Sequence, residues 1–345
     1  MTGPLPGWLA PLTRPAARLY ARAVDRRNRR FDARRDVHRA AVPVVSIGNI
    51  TAGGVGKTPF VAWLAERLID DGHRPVIVMR GYGARRGTGS DEAAEFAGRL
   101  AAVPVLVDPD RVASLARFLP DHPEIDVALM DDGFQHRRLH RDVDLVLIDA
   151  MRPGLGDRLL PAGRLREPAA NLRRADAVVV TRADRVDRAL EAAIADAHGV
   201  TPLAWCAHRW RGLEIIDAEG VRREPVAWLE GRAVVTRFGV GNPAGVARTL
   251  AAAGARVVRD VPARDHQPFT RAGLERLAAG LGEAEALVVT GKDWVKMEGL
   301  IDFRRWPVPI VVPELDIDVW QGAEALLSLV RDSLRPPTDP ACPPS

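Results

Sequence analysis

The feature of the sequence that most limits its fold is a glycine-rich segment set between an apolar run and a helical pattern. Residues 51–58 read TAGGVGKT; an apolar run at 42–47 precedes them, and the helical pattern starts at Pro59. Glycines in such a turn let backbone N–H groups point inward around phosphate oxygens, and the following helix presents its positive end to the same anion. Lys57 can reach the β- and γ-phosphates, while the Thr58 hydroxyl can bind Mg²⁺. The segment therefore predicts a P-loop that binds a nucleoside triphosphate together with Mg²⁺.

We assign nucleotide binding to the whole of this loop. Its residues are Thr51, Ala52, Gly53, Gly54, Val55, Gly56, Lys57 and Thr58. The loop departs from the usual pattern at its opening position, where Thr51 stands in place of glycine. Partitioning-type ATPases carry a signature lysine at the position of Ala52, so the sequence does not favour that class.

Apolar runs and helical patterns alternate along most of the chain. Further strands are predicted at 75–79, 103–107, 127–130, 145–148 and 177–180, and a second set at 233–238, 256–259, 286–290 and 308–312. Such alternation predicts an α/β fold: a P-loop NTPase-type, mostly parallel, doubly wound sheet with a second, smaller α/β domain.

The predicted organisation has four parts. The pattern becomes irregular over residues 205–225, where charged and turn residues accumulate, so we place the boundary between the two domains near residue 222. The parts are a basic amphipathic N-terminal helix at 1–40, a nucleotide-binding domain at 41–222, the second α/β domain at 223–334 and a proline-rich tail at 335–345.

Two carboxylates follow the apolar strand predicted at 127–130. They are Asp131 and Asp132, and a glycine comes directly after them. An Asp-Asp-Gly turn is common in proteins, but in P-loop proteins a carboxylate at such a strand end holds Mg²⁺ or its water shell. We therefore predict Thr58, Asp131 and Asp132 as the magnesium-binding residues.

A basic arm precedes the P-loop. Residues 14–39 contain ten arginines against three aspartates, and a helical pattern at 8–24 places Leu12, Ala16, Leu19, Tyr20 and Ala23 on one face. An interfacial helix has this pattern, with its apolar face in the acyl boundary and its arginines on anionic headgroups. A surface helix packed on its own domain is the alternative.

Compartment and anchoring follow from what the sequence lacks. It has two cysteines, which favours a reduced compartment, and no run of about 18 apolar residues that would predict a membrane-spanning helix. The expected protein is therefore monotopic at most.

Several motifs, taken in order, resemble those of the tetraacyldisaccharide 4'-kinases. They are SIGN at 46–49, GGVGKTP at 53–59, RGYG at 80–83, PDR at 109–111, DDGFQH at 131–136, LPAGRLREP at 160–168, GVGNP at 239–243 and DH at 265–266. The resemblance implies transfer of the γ-phosphoryl group of ATP to the 4'-hydroxyl of tetraacyldisaccharide 1-phosphate, which forms lipid IVA in lipid A biosynthesis. It also implies a membrane-associated N-terminal helix at the cytoplasmic face of the inner membrane.

The same resemblance implies a catalytic pair of an aspartate and a histidine beside Lys57. His266 matches the histidine motif, and Gln267 stands where a second histidine is frequent in the family. Asp91 is the matching aspartate, although Ser90 stands where glycine is more frequent, and a solvated loop carboxylate is the alternative for it.

Other polar residues resemble positions that contact the substrate or the transition state. They are Arg111, Gln135, His136, Arg166 and Glu167. An arginine presents a planar fork suited to phosphate, so Arg111 or Arg166 could steady the transferred group or the substrate 1-phosphate. Surface salt bridges are the competing interpretation.

Two other classes of P-loop protein stay open on the sequence alone. A GTPase or metallochaperone-like switch is one, because TRAD at 181–184 weakly resembles a guanine-reading loop. A nucleic-acid-binding ATPase that uses the basic arm is the other. With 5% aromatic residues and no nucleic-acid module, the sequence favours a lipid partner over nucleic acid.

Overall fold

Alternating strands and helices make up the computed structural model, which describes residues 10–81, 91–239, 243–261 and 269–335. From the amino terminus the elements are α1 (Ala10–Asp32), β1 (Val44–Gly48), α2 (Lys57–Asp70), β2 (Pro75–Met79), α3 (Asp91–Arg99), β3 (Val105–Val107), α4 (Arg111–Phe118), β4 (Val127–Asp131), β5 (Val143–Asp149), β6 (Ala177–Thr181) and α5 (Arg188–His198). The later elements are β7 (Ala204–Asp217), β8 (Gly220–Glu224), β9 (Ala233–Arg237), α6 (Pro243–Ala252), β10 (Arg256–Asp260), α7 (Arg271–Ala279), β11 (Ala286–Val289), α8 (Gly291–Met297), β12 (Ile310–Gln321) and α9 (Ala323–Leu334). Every apolar run predicted as a strand coincides at least in part with one of these strands.

The chain forms two compact units. Unit 1 takes the residues up to Ala207 and those from Ile317 onward, and unit 2 is His208–Asp316. The chain passes into unit 2 within β7 and returns within β12. The predicted boundary near residue 222 thus lies inside unit 2, and α9, predicted as part of the second domain, belongs to unit 1. The proline-rich tail lies outside the described residues from position 336 onward.

The difference at the boundary arises from β7, a single strand running through most of the stretch whose pattern is irregular. Its charged residues Arg209 and Arg211 are exposed, whereas Leu213 and Ile215 are buried. Its second half pairs antiparallel with β8. An antiparallel pair can leave one face exposed to water, and charged residues on that face interrupt the apolar run by which the other strands are recognised.

In unit 1 the strands follow the order β7-β6-β5-β1-β4-β2-β3. All of these pairings are parallel. β1 is central, and each of its residues is buried, which explains why it reads as an uninterrupted apolar run. The register pairs Ile47 with Asp131, so the carboxyl ends of β1 and β4 lie side by side. The predicted parallel α/β fold is confirmed.

Helices cover the unit 1 sheet. On one face α2 buries Phe60, Leu64 and Leu68 completely, in a cluster that also contains Leu326 and Val330 of α9. Complete burial of one such side chain contributes about 1.5–3 kcal/mol. This packing fixes the axis of α2, and with it the direction of the helix end that follows the glycine-rich loop.

Unit 2 contains a set of parallel strands and an apolar core of its own. Its parallel strands follow the order β10-β9-β11-β12. Leu287 and Val289 of β11 pack with Leu274 and Leu277 of α7 in one apolar cluster. The unit therefore has the helix-on-sheet packing predicted for a second, smaller α/β domain.

α1 extends to Asp32, beyond the helical pattern at 8–24 that the sequence shows. It begins at Ala10 and contains Pro15. Val24 and Asn28 are buried against unit 1, whereas Leu19 remains 69% exposed. Tyr20, predicted on the same apolar face as Leu19, is instead half-buried. The helix therefore packs on its own unit and still presents an apolar side chain to solvent. In the described part of the chain, no helix combines the length and the apolar character needed to cross a membrane.

Candidate active site

The glycine-rich loop joins β1 to α2 and has the backbone geometry of a phosphate-binding loop. Gly53 and Gly56 have φ angles of 121° and 91°. L-residues with a side chain are strained at such angles, so glycine is required there. Gly56 immediately precedes α2, and Lys57 is the first helical residue. The positive end of α2, with the N–H groups of Lys57 and Thr58, is thereby presented to an anion at the loop.

Two polar side chains hold the loop in place. Asn49, which is completely buried, donates through Nδ2 to Thr51 O (2.7 Å) and Thr51 Oγ1 (3.2 Å). The Thr181 hydroxyl, at the end of β6, donates to Val55 O at 2.8 Å. Neither residue was predicted to belong to the site. Thr181 opens the segment that weakly resembles a guanine-reading loop, and here it contacts the P-loop backbone.

Lys57, Asp132 and Arg166 form an ion cluster at the mouth of the loop. Lys57 Nζ lies 3.3 Å from Asp132 Oδ1 and 3.3 Å from Asn49 Oδ1. Arg166 Nη1 donates to both carboxylate oxygens of Asp132, at 2.9 and 2.8 Å. Burial tends to raise the pKa of Asp132, but Lys57 and Arg166 outweigh it and hold that pKa far below its ordinary value. Asp132 is therefore ionised throughout the neutral range.

The turn after β4 brings further predicted residues next to this cluster. Arg111, which is 2% exposed, donates through Nη1 to Asp132 O at 3.2 Å. Gln135 donates through Nε2 to Asn49 O at 2.9 Å, and its Oε1 accepts from Arg166 Nη1 at 3.4 Å. Burial, followed by the charge of Arg111, lowers the pKa of His136 to about 4, so this histidine is neutral at pH 7.

The turn is packed tightly against β1. A Cβ atom on Gly133 would come within 2.3 Å of Ser46 Oγ, so only glycine allows the close approach. Asp131, the last residue of β4, is 3% exposed, and its Oδ1 accepts a hydrogen bond from the backbone N–H of Asp132 at 2.8 Å. The paired carboxylates thus face different environments, with Asp132 bound to cations and Asp131 at the strand end beside β1.

A short segment around Arg166 runs antiparallel to the entry of the P-loop. Thr51 and Leu165 form an antiparallel bridge. Ala52 N donates to Arg164 O at 2.7 Å, and Arg166 N donates to Ile50 O at 2.7 Å. This pairing explains how a residue more than a hundred positions along the chain reaches the loop.

Glu167 points away from the loop. It was predicted to contact the substrate, but the structure buries its side chain completely. Its Oε2 accepts hydrogen bonds from Arg174 Nη1 (2.9 Å), Asn28 Nδ2 (3.0 Å) and Asn171 Nδ2 (2.8 Å). Burial tends to raise the pKa of Glu167, but Arg174 and the two amides outweigh it and lower that pKa. In this structure Glu167 therefore joins α1 to the segment that carries Asn171 and Arg174, next to the site.

The residues predicted to bind Mg²⁺ suit that ion chemically. Among the described residues no group of three or more His, Cys, Asp or Glu side chains could hold a metal. Mg²⁺ commonly uses only one or two protein carboxylates, with substrate phosphates and water completing its shell. The Thr58 hydroxyl, on the second residue of α2, and the Asp131 carboxylate, on the last residue of β4, are hard oxygen donors of this kind.

Neither side chain of the predicted catalytic pair belongs to the described residues. Asp91 begins α3, but its side chain lies outside the described residues, as does all of His266. Of the predicted site residues, the structure places together Lys57, Asp132, Arg111, Gln135 and Arg166.

Comparison with known proteins identifies the family. A model of the family described as tetraacyldisaccharide-1-P 4'-kinase (LpxK) matches residues 9–334. The chain belongs to this family. The resemblance seen in the sequence motifs is thereby confirmed.

Members of the LpxK family are similar to this chain along most of its length. A tetraacyldisaccharide 4'-kinase from Bordetella petrii is 36% identical over 339 residues, covering 93% of this chain and 92% of the relative. A tetraacyldisaccharide 4'-kinase from Anaeromyxobacter dehalogenans is 40% identical over 310 residues, covering 84% of this chain and 81% of the relative. The crystal structure of an LpxK from Aquifex aeolicus in complex with ATP matches with a TM-score of 0.71 at 28% identity, covering 93% of this chain and 98% of that one.

Proposed function

We propose that this chain transfers the γ-phosphoryl group of ATP to the 4'-hydroxyl of tetraacyldisaccharide 1-phosphate and so forms lipid IVA. The observation that carries the proposal is the Lys57–Asp132–Arg166 cluster at the mouth of a P-loop, in a chain of the LpxK family. In this reaction the 4'-oxygen bonds to the γ-phosphorus, the bond to the β–γ bridging oxygen breaks, and ADP leaves. The hydroxyl proton passes to a base.

The residues of the P-loop region divide the work of phosphoryl transfer. Backbone N–H groups of the loop and the Lys57 ammonium bind the phosphate oxygens. Arg166 lies beside Lys57 and adds a second positive charge where the transferred group gathers negative charge. Asp132 orients both cations, because its carboxylate contacts each of them.

We assign the magnesium site to Thr58 and Asp131; Asp132, the third predicted ligand, contacts Lys57 and Arg166 in this structure. Asp131 ends the strand next to β1, which is where P-loop proteins place the carboxylate that holds Mg²⁺ or its water. When bound, Mg²⁺ would neutralise charge on the β- and γ-phosphate oxygens.

For the base we propose His266 acting with Asp91, on the motif match alone. Replacing His266 with alanine is expected to lower kcat about a hundredfold, as loss of a general base does. Nucleotide affinity should stay within about twofold of wild type, since the P-loop is intact. The measurement is phosphoryl transfer to the lipid disaccharide 1-phosphate, alongside calorimetry with an ATP analogue.

A matched control for this test is His122→Ala. His122 lies on the surface of unit 1 with a side chain 39% exposed, and its change should leave turnover unaffected. If His266→Ala turned over at the wild-type rate, His266 would have no part in proton transfer.

We further propose that α1 binds the cytoplasmic face of the inner membrane. Leu19 projects into solvent, and Ala16 and Ala23 are exposed on the same side of the helix. Nearby, a cleft of about 610 Å³ is lined in part by Arg26, Arg27, Arg30 and Arg138. Guanidinium groups suit lipid phosphates, so an apolar stripe followed by a basic cleft fits an anionic bilayer surface.

Leu19→Asp is expected to weaken binding to vesicles that contain anionic phospholipid by about ten- to a hundredfold, because a leucine that becomes buried in the acyl region on binding contributes about 1.5–3 kcal/mol. Vesicle co-sedimentation measures the change. Val200→Asp is the control, because Val200 is 62% exposed and belongs to the segment after α5. Equal loss of binding in both variants would count against α1 as the membrane contact.

A further inference from the structure

The segment that carries Arg166 is held from two sides. On one side its backbone pairs with the P-loop entry, where Arg166 N donates to Ile50 O at 2.7 Å. On the other side the Tyr20 hydroxyl of α1 donates to Arg166 O at 2.9 Å. Both backbone polar groups of Arg166 are therefore engaged, one by the loop and one by the helix.

The next residue is fixed by the same helix. Asn28, one of the few buried polar residues of α1, donates to the completely buried Glu167 carboxylate at 3.0 Å. Tyr20 and Asn28 are eight positions apart, so they lie on one face of α1, two turns from each other. That face contacts two consecutive residues of the segment.

α1 is also fastened to the turn that follows Asp132. Arg137 donates to Asn28 O at 3.1 Å and to Asp32 Oδ1 at 2.7 Å. The Arg174 guanidinium, which binds Glu167, lies 4.4 Å from the centre of the Phe134 ring. The helix thus joins the Arg166 segment and the Asp132 turn, which are the two sides of the ion cluster.

We propose that α1 sets the position of the Arg166 guanidinium, with Tyr20 and Asn28 as positioning residues for phosphoryl transfer. The inference rests on the proposed kinase function and goes beyond membrane contact. An arginine side chain has several rotatable bonds, so its reach depends on a fixed backbone. A misplacement of about 1 Å at a reacting centre can lower the rate roughly a hundredfold.

The test is a comparison of kcat and KM in detergent–lipid mixed micelles, where tethering to a bilayer plays no part. Tyr20→Phe, which removes one oxygen and keeps the packed ring, should lower kcat about fivefold, and Asn28→Leu about tenfold. KM for ATP should stay within about twofold, because Lys57 and the loop are unchanged.

A double-mutant cycle decides whether the effect passes through Arg166. In an Arg166→Ala background, Tyr20→Phe and Asn28→Leu should each change kcat by less than about twofold, because residues that act through a shared partner are not additive. Asp25→Asn is the control on α1; Asp25 is exposed and pairs with Arg29 within the helix, so its kcat should match wild type. Circular dichroism and thermal unfolding verify that each variant folds.

The outcomes separate this inference from the function it rests on. An active wild type with unaltered kcat in both α1 variants would overturn the inference alone. Effects of full size in the Arg166→Ala background would also overturn it, because Tyr20 and Asn28 would then act elsewhere. A wild type that does not phosphorylate the lipid would refute the proposed function, and the inference with it.

Discussion

Replacing Lys57 with alanine is expected to lower kcat for lipid phosphorylation by about a thousandfold, which corresponds to roughly 4 kcal/mol of lost transition-state stabilisation. Lys57 begins α2, its side chain is 13% exposed, and it lies 3.3 Å from the Asp132 carboxylate. A preorganised charge at a site shielded from water stabilises developing phosphoryl charge far more than one in bulk water. Steady-state transfer of radiolabelled γ-phosphate to the lipid measures the loss.

The fold should survive this change. Asp132 keeps its two hydrogen bonds to Arg166, so the carboxylate is not left without a cation. Lys296→Ala, in α8 of unit 2, is the matched control and should retain wild-type turnover. If the kcat of Lys57→Ala were within tenfold of wild type, either the nucleotide would bind outside this loop or Lys57 would supply no charge to the reaction.

Replacing Glu167 with leucine is expected to lower the free energy of unfolding by about 3–5 kcal/mol. Removing one partner of a buried ion pair leaves the other charge uncompensated, and such changes are strongly destabilising. Here the leucine would leave Arg174, whose side chain is 18% exposed, without its carboxylate, and the amides of Asn28 and Asn171 without an acceptor. Urea unfolding followed by circular dichroism measures the effect.

The control is Glu324→Leu, which removes a carboxylate that is 82% exposed and paired with Arg331. Exposed pairs contribute little, so this variant should unfold close to wild type. An equally small effect of Glu167→Leu would show that the Glu167 cluster does not support the fold.

The lowered pKa of Glu167 also predicts how its contribution to stability changes with pH. The pKa of Glu167 is lowered on folding from an ordinary value of 4.5. Its stabilising contribution is therefore complete above that value and is lost as pH falls through the lower pKa of the folded state. The difference in unfolding free energy between wild type and Glu167→Gln should be largest near neutral pH and should shrink below about pH 4.5.

The Lys57 and Glu167 predictions test two different functions of residues in and around the site. Lys57 faces the phosphate position, whereas Glu167 faces the interior and holds α1 and Arg174 together. Loss of the first should reduce turnover with little change in stability, and loss of the second should reduce stability first.

The sequence was sufficient wherever a property depends on neighbouring residues. The P-loop could be predicted because its strand, its glycines and its helix are contiguous, and each requirement is local. The buried parallel strands could be predicted because burial on both faces demands uninterrupted apolar runs, as in β1. The boundary between units was harder, since β7 carries charges on an exposed face and so does not show such a run.

The orientation of side chains between distant segments was decided by the tertiary structure. Nothing near Glu167 in sequence indicates that it meets Asn28, which lies 139 positions away, rather than a substrate. Tyr20 was expected on the apolar face beside Leu19, yet its hydroxyl reaches the Arg166 carbonyl 146 positions away.

The phosphate-binding loop, the acidic strand end and the α/β class could thus be predicted from residues that are neighbours along the chain. Which face of α1 is buried, and which polar residues stand behind the site, followed only from packing. The helical period fixes which residues share a face. What that face packs against depends on contacts between residues more than a hundred positions apart, which no local pattern shows.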